Sequence, residues 1–142
     1  MVKLYVAGYR AQDEQIHENV EELRSLGYNV PYDWTKVDVP RIPTPETLAR
    51  LANRAALAVK EADIVLAMLT CSSYHYPETF TEIGMALATG KPVIALCYRT
   101  APDEADVRCR GNCFFWADGI EHCFNWFDML KALSRQTASL RK

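Results

Sequence analysis

Four residues in one short stretch carry most of the chemistry that this sequence offers. Glu78, Thr79, Thr81 and Glu82 fall at the start of a helix predicted over residues 78–89, just beyond an apolar run at 64–69. A helix N-terminus favours negative charge, so a carboxylate there is expected to stay ionised at neutral pH. An ionised carboxylate facing a cleft can attack a sugar carbon. Thr79-x-x-Glu82 also has the spacing of a capping box, which would hold the glutamate for structural reasons. Both roles are open to Glu82, and they can coexist. Tyr5, near the end of the first predicted strand, is placed either to orient that carboxylate or to sit half-buried in the sheet.

Other polar side chains gather on the neighbouring loops. Arg10, Ser72, Ser73, His75 and Arg99 have the donors that a phosphate, ribose or base would need. Gly8 either lets a ligand approach the backbone or makes a tight turn. Trp34 belongs to the core or its rim, or walls a base pocket. Neither G-x-G-x-x-G nor GxxxxGK[ST] occurs. Cys109-x3-Cys113 with His122-Cys123 lacks the spacing of a common zinc motif, and five cysteines do not make a disulfide framework. Buried free thiols are expected, and no metal.

Alternating elements must position these groups. Strands are expected at residues 3–7, 28–32, 64–69, 92–97 and 113–117, and helices at 12–26, 45–62, 78–89 and 118–136. Thr44-Pro45-Glu46 is a helix start, and Gly27 and Gly90 are helix stops. In the last helix, Phe124, Phe127, Leu130 and Leu133 form the expected buried stripe, with Trp126 and Met129 outside it. This alternation predicts an α/β, flavodoxin-like fold: a five-stranded parallel sheet of order 2-1-3-4-5 with helices on both faces. Residues 1–142 read as one domain. Ligands of such sheets bind beyond the strands' carboxyl ends where the order reverses, here beside residues 8–12 and 70–77.

The 142 residues are 49% apolar and 24% charged, which excludes a disordered tail. Sixteen Lys and Arg against 18 Asp and Glu leave a net charge of −2, so no nucleic-acid partner is expected. No apolar run reaches the roughly 20 residues of a bilayer span. The opening MVKLYVAGYR is unlike a signal peptide, so no membrane partner and a cytoplasmic location are expected.

Four blocks then point to a family: LYVAG (4–8), GYNVPYDWT (27–35), EADIVLAML (61–69) and TFTEIGMALATGKPVIAL (79–96). Over about residues 3–130 the chain resembles the nucleoside 2-deoxyribosyltransferase-like family, which includes nucleotide N-glycosidases. The resemblance implies that Glu82 is the nucleophile at the anomeric carbon and that Tyr5 positions its carboxylate. It implies substrate-binding roles for Gly8 in the first loop and for Asn112, which resembles an asparagine lent across a subunit interface. It also implies a homo-oligomer acting on a nucleoside or nucleotide without a cofactor. Three functions follow from it: base transfer through a glycosyl-Glu82 intermediate, hydrolysis of a nucleoside 5′-monophosphate, or nucleotide binding without catalysis. Two positions depart from the family pattern. Many members carry an acid on the second helix, where this chain reads Asn53-Arg54-Ala55-Ala56. Arg54 either turns toward the crevice or is solvated. Six residues before the nucleophile, where many members have Asp or Ser, stands Tyr76, with Glu78 as the nearest acid. Tyr76 and Glu78 are therefore expected to line the substrate site.

Overall fold

Strand β1 (Leu4–Gly8), strand β2 (Ile64–Met68), strand β3 (Val93–Leu96) and strand β4 (Ile120–Cys123) pair in that order, all parallel. The computed structural model describes residues 1–70, 74–97 and 111–142. Helices α1 (Asp13–Ser25), α2 (Pro45–Glu61), α3 (Pro77–Ala88) and α4 (Trp126–Leu140) complete the described elements. Every residue of β2 is buried, as befits a parallel strand covered on both faces. Thr44 caps α2 by accepting from the Thr47 amide at 3.2 Å. Asp63 accepts from the Lys3 amide at 2.8 Å and so ties the start of β2 to β1. Among the described residues no helix is long and apolar enough to cross a membrane.

The described sheet has four strands where five were expected. Residues 28–32 make one parallel bridge, Asn29 to Lys3, on the free edge of β1. Asn29 donates to Val2 O and its carbonyl accepts from Leu4 N. The next rung would need an N–H from residue 31, which is proline, so the ladder stops. Farther along that edge the Val6 carbonyl accepts instead from the Trp34 indole at 2.6 Å. Trp34 is thus a core pin.

The C-terminal quarter also departs from expectation. Residues 113–117 are no strand: Cys113–Trp116 forms a 3-10 turn capped by Asn112, whose Oδ1 accepts from the Phe114 amide at 2.9 Å. The last strand comes later, after the turn at Gly119 (φ +91°). Helix α4 therefore starts only after Asn125, which caps it through the Asp128 amide at 2.8 Å. Its buried face is Met129, Ala132, Leu133 and Thr137. Met129 is core, while Phe127, expected inside, is 67% exposed. The Trp126 indole donates to Glu22 on α1. Cys97 and Cys123 are buried as expected, but Cys113 is exposed.

Candidate active site

Helix α3 begins earlier than the capping-box reading requires. Tyr76 precedes it, Pro77 is its first residue, and Thr79 lies buried within its first turn without capping it. Glu82 therefore sits in the second turn, past the reach of most of the helix-end field. Its side chain points inward toward β1 and is only 9% exposed. Burial pushes its carboxyl up to about 7; a hydrogen bond from the Tyr5 hydroxyl works against that rise, and the nearby Glu78 charge adds to it. Burial thus works against the fully ionised carboxylate expected from the sequence at neutral pH. Oε2 of Glu82 is buried and has no hydrogen-bond partner among the described residues. Burial, then the Glu82 carboxylate, raises the Tyr5 hydroxyl far above its ordinary value, so Tyr5 stays a donor.

An aromatic row leads away from this pair. The Tyr5 and Tyr32 rings are nearly parallel, at 8° and 6.4 Å between centroids. The Arg54 guanidinium lies over Tyr32, 4.3 Å from its centroid, with Nη1 buried and unpartnered. Arg54 on α2 therefore turns inward. Burial raises the Tyr32 hydroxyl, Arg54 and Arg10 pull it back, and Glu82 raises it again. One phenol thus senses the charges of all three groups.

Tyrosines also gather where β1 and β2 end. Tyr9 and Tyr74 stack at 3.6 Å between centroids, and Tyr76 meets both edge-on. Gln12 Oε1 accepts from the Thr70 hydroxyl at 3.1 Å and the Tyr76 hydroxyl at 3.3 Å, fastening the loop after β2 to the start of α1.

A family model described as nucleoside 2-deoxyribosyltransferase matches residues 4–123. The chain belongs to this nucleoside 2-deoxyribosyltransferase family. No curated protein matches it in sequence. A conserved protein from Enterococcus faecalis V583 has a similar structure: TM-score 0.69, 19% identity, 96% of this chain and 99% of that one covered. The CMP N-glycosidase BcmB of Clostridium botulinum is similar at TM-score 0.60 and 19% identity, over 87% of this chain and 88% of that one.

In this member of the nucleoside 2-deoxyribosyltransferase family, Glu82 and Tyr5 come together as the sequence suggested, and several other expected site residues are otherwise engaged. Tyr76 is fully buried in a left-handed backbone conformation (φ 58°), and its hydroxyl donates to Gln12, so it shapes the loop. Arg10 donates to Trp34 O and Val37 O, both at 3.2 Å, and clamps the segment after residue 28. Its charge still reaches Tyr5 and Tyr32. A Cβ at Gly8 would stand 2.5 Å from Ile16 Cδ1, so the Ile16 side chain would have to shift to admit one. Glu78 is exposed and accepts from the Tyr74 hydroxyl at 3.4 Å. Asn112 spends its side chain on the local cap. Ser72, Ser73 and Arg99 lie outside the described residues, as do Cys71 and Cys109. Among the described residues no three His, Cys, Asp or Glu side chains gather as a metal would require. Tyr32, Tyr9, Tyr74 and Gln12 went unnoticed in the sequence; the only signals were Tyr32's place in the GYNVPYDWT block and Tyr9's beside Gly8.

Proposed function

We propose that this chain cleaves the N-glycosidic bond of a nucleoside or nucleotide and passes the glycosyl group to another nucleobase. The observation that carries this reading is the Glu82 carboxylate, held by Tyr5 with a buried oxygen left free. In its ionised form Glu82 attacks C1′. The Glu82 O–C1′ bond forms as the C1′–N bond breaks, and the electron pair leaves on the base. A second base then attacks C1′ from the opposite face and returns the carboxylate, so configuration is retained after two inversions. The oxocarbenium-like transition state gains most from the ionised carboxylate, since its positive charge grows beside it. With water as acceptor the same ester hydrolyses. The likeness to a CMP N-glycosidase supports that second reading, hydrolysis of a nucleoside 5′-monophosphate to base and sugar phosphate.

One assay separates the readings. The protein is incubated with 2′-deoxynucleosides or nucleoside 5′-monophosphates, with and without an acceptor base. Exchange without net hydrolysis supports transfer, and sugar phosphate from a monophosphate supports hydrolysis. Denaturing mass spectrometry is expected to find a glycosyl adduct on Glu82 that Glu82→Ala abolishes. Ligand binding with no turnover of any substrate would leave a nucleotide-binding domain and overturn catalysis.

We also propose a homo-oligomer. Trp116, beside His122 of β4, and Phe127, at the start of α4, are 61% and 67% exposed, large apolar side chains that association would cover. Sedimentation showing monomer alone at micromolar concentration would overturn it.

A further inference from the structure

Beside Tyr5 and Tyr32, two buried atoms of opposite charge lack hydrogen-bond partners among the described residues: Glu82 Oε2 and Arg54 Nη1. They do not pair with each other, and the Tyr5 and Tyr32 rings lie along the row between them. A guanidinium keeps its charge at every working pH, so a buried N–H without an acceptor among the described residues is costly and calls for a further oxygen, which a ligand can supply. Arg10, the other arginine beside Tyr32, gives both terminal nitrogens to main-chain carbonyls. Arg54 therefore has a donor to offer at this end of the row.

We propose that Arg54 serves the departing nucleobase: its guanidinium donates to a carbonyl oxygen of the base as the glycosidic bond breaks, and so selects oxo-bases over adenine. This inference rests on the Glu82 reading above. In-line displacement puts the leaving group opposite the nucleophile, and Arg54 lies at the end of the row away from Glu82. As the C1′–N bond breaks, the electron pair passes to the base nitrogen and spreads onto the ring carbonyls. A charged donor on such an oxygen binds more strongly as that charge grows, so it stabilises the transition state above the ground state. Arg54 gives up no proton; the base leaves as a stabilised anion and takes its proton from water. Uracil, thymine, cytosine, guanine and hypoxanthine carry the required carbonyl, and adenine does not.

The test uses Arg54→Met and Arg54→Lys in the full chain. The substrates are 2′-deoxyuridines substituted at C5 with fluorine, hydrogen or methyl, which leave progressively less easily, together with 2′-deoxyadenosine. Arg54→Met is expected to lower kcat about 100-fold on 2′-deoxyuridine, more on the methyl compound and less on the fluoro compound, with little change on 2′-deoxyadenosine. Arg54→Lys keeps the charge without the fork and should fall between; it carries the test should the methionine variant fail to fold. Equilibrium dialysis gives a readout free of turnover: uracil binding should weaken about tenfold in Arg54→Met, and adenine binding should not move. Equal losses on every base, or a loss confined to 5′-monophosphates, would overturn the proposal, the latter by making Arg54 a phosphate reader. The nucleophile is judged separately. Glu82→Gln is expected to abolish cleavage of every base while uracil still binds, and undiminished cleavage by that variant would sink the Glu82 reading without touching the uracil-to-adenine comparison.

Discussion

At the scale of single residues, the site turns on one proton. Glu82 is held near pH 7 by burial, which favours the neutral acid, against Tyr5, which favours the carboxylate, with Glu78 opposing the charge. The nucleophile is the ionised form, so kcat/KM is expected to rise with pH through a limb near 7. Two substitutions should move that limb in opposite directions. Tyr5→Phe removes the hydrogen bond to the charged form, so the limb shifts to higher pH and the rate on the old plateau falls. Glu78→Gln removes a like charge, so the limb shifts to lower pH. Rate profiles from pH 5 to 9 check both, and limbs that stay in place would mean that the limb reports some other group. The resemblance pointed to Tyr5 and Glu82 as partners, but the proton balance was hidden in the sequence, since burial depends on how α3 lies against β1. Arg54 was ambiguous for the same reason. Its inward turn sets it over the Tyr32 ring, a contact between distant parts of the chain that the sequence does not display.

At the scale of elements, the sequence was most legible where periodicity and caps agreed. The run at residues 64–69 is apolar throughout and became β2; Thr44-Pro45 opened α2 as read. It was least legible where two signals competed. Residues 28–32 have strand composition, but Pro31 removes the N–H that a second rung needs. Residues 113–117 are apolar enough for a strand, yet Asn112 bends them into a 3-10 turn, and the strand is the plainer stretch after Gly119. That displacement moved the start of α4 and rotated its buried face. The rotation has a direct test: Met129→Ala should cost about 2–5 kcal/mol as a core truncation, whereas Phe127→Ala should cost under about 0.5 kcal/mol. Urea unfolding of the two variants reads the difference, and the opposite ranking would restore the stripe expected from sequence. The edge of β1 has its own test. Trp34→Phe leaves the Val6 carbonyl without its indole donor, an expected loss of about 1–3 kcal/mol in the same measurement.

At the scale of the whole molecule, the group proposed to do the chemistry also weakens the fold at the pH where it works. In the unfolded chain Glu82 releases its proton near its ordinary value of 4.5; in the native chain it holds it to about 7. Between those values the native state binds more protons, so stability falls as pH rises across the window and levels off above it. At 1.36 kcal/mol per pH unit the full loss is about 3 kcal/mol, an upper figure because relaxation and water entry reduce it. Glu82→Gln cannot ionise and escapes that loss. The unfolding free energy of the wild type minus that of Glu82→Gln is therefore expected to drop between pH 5 and pH 8, leaving the variant relatively more stable at the alkaline end. Taking the difference cancels titrations elsewhere, such as that of Asp33, where burial is outweighed by hydrogen bonds from Thr35 and His17 that hold the carboxyl below its ordinary value. A flat difference from pH 5 to 8 would mean that Glu82 titrates as in the unfolded chain. Burial would then no longer set the ionisation of the proposed nucleophile, and the activity limb near pH 7 would lose its origin.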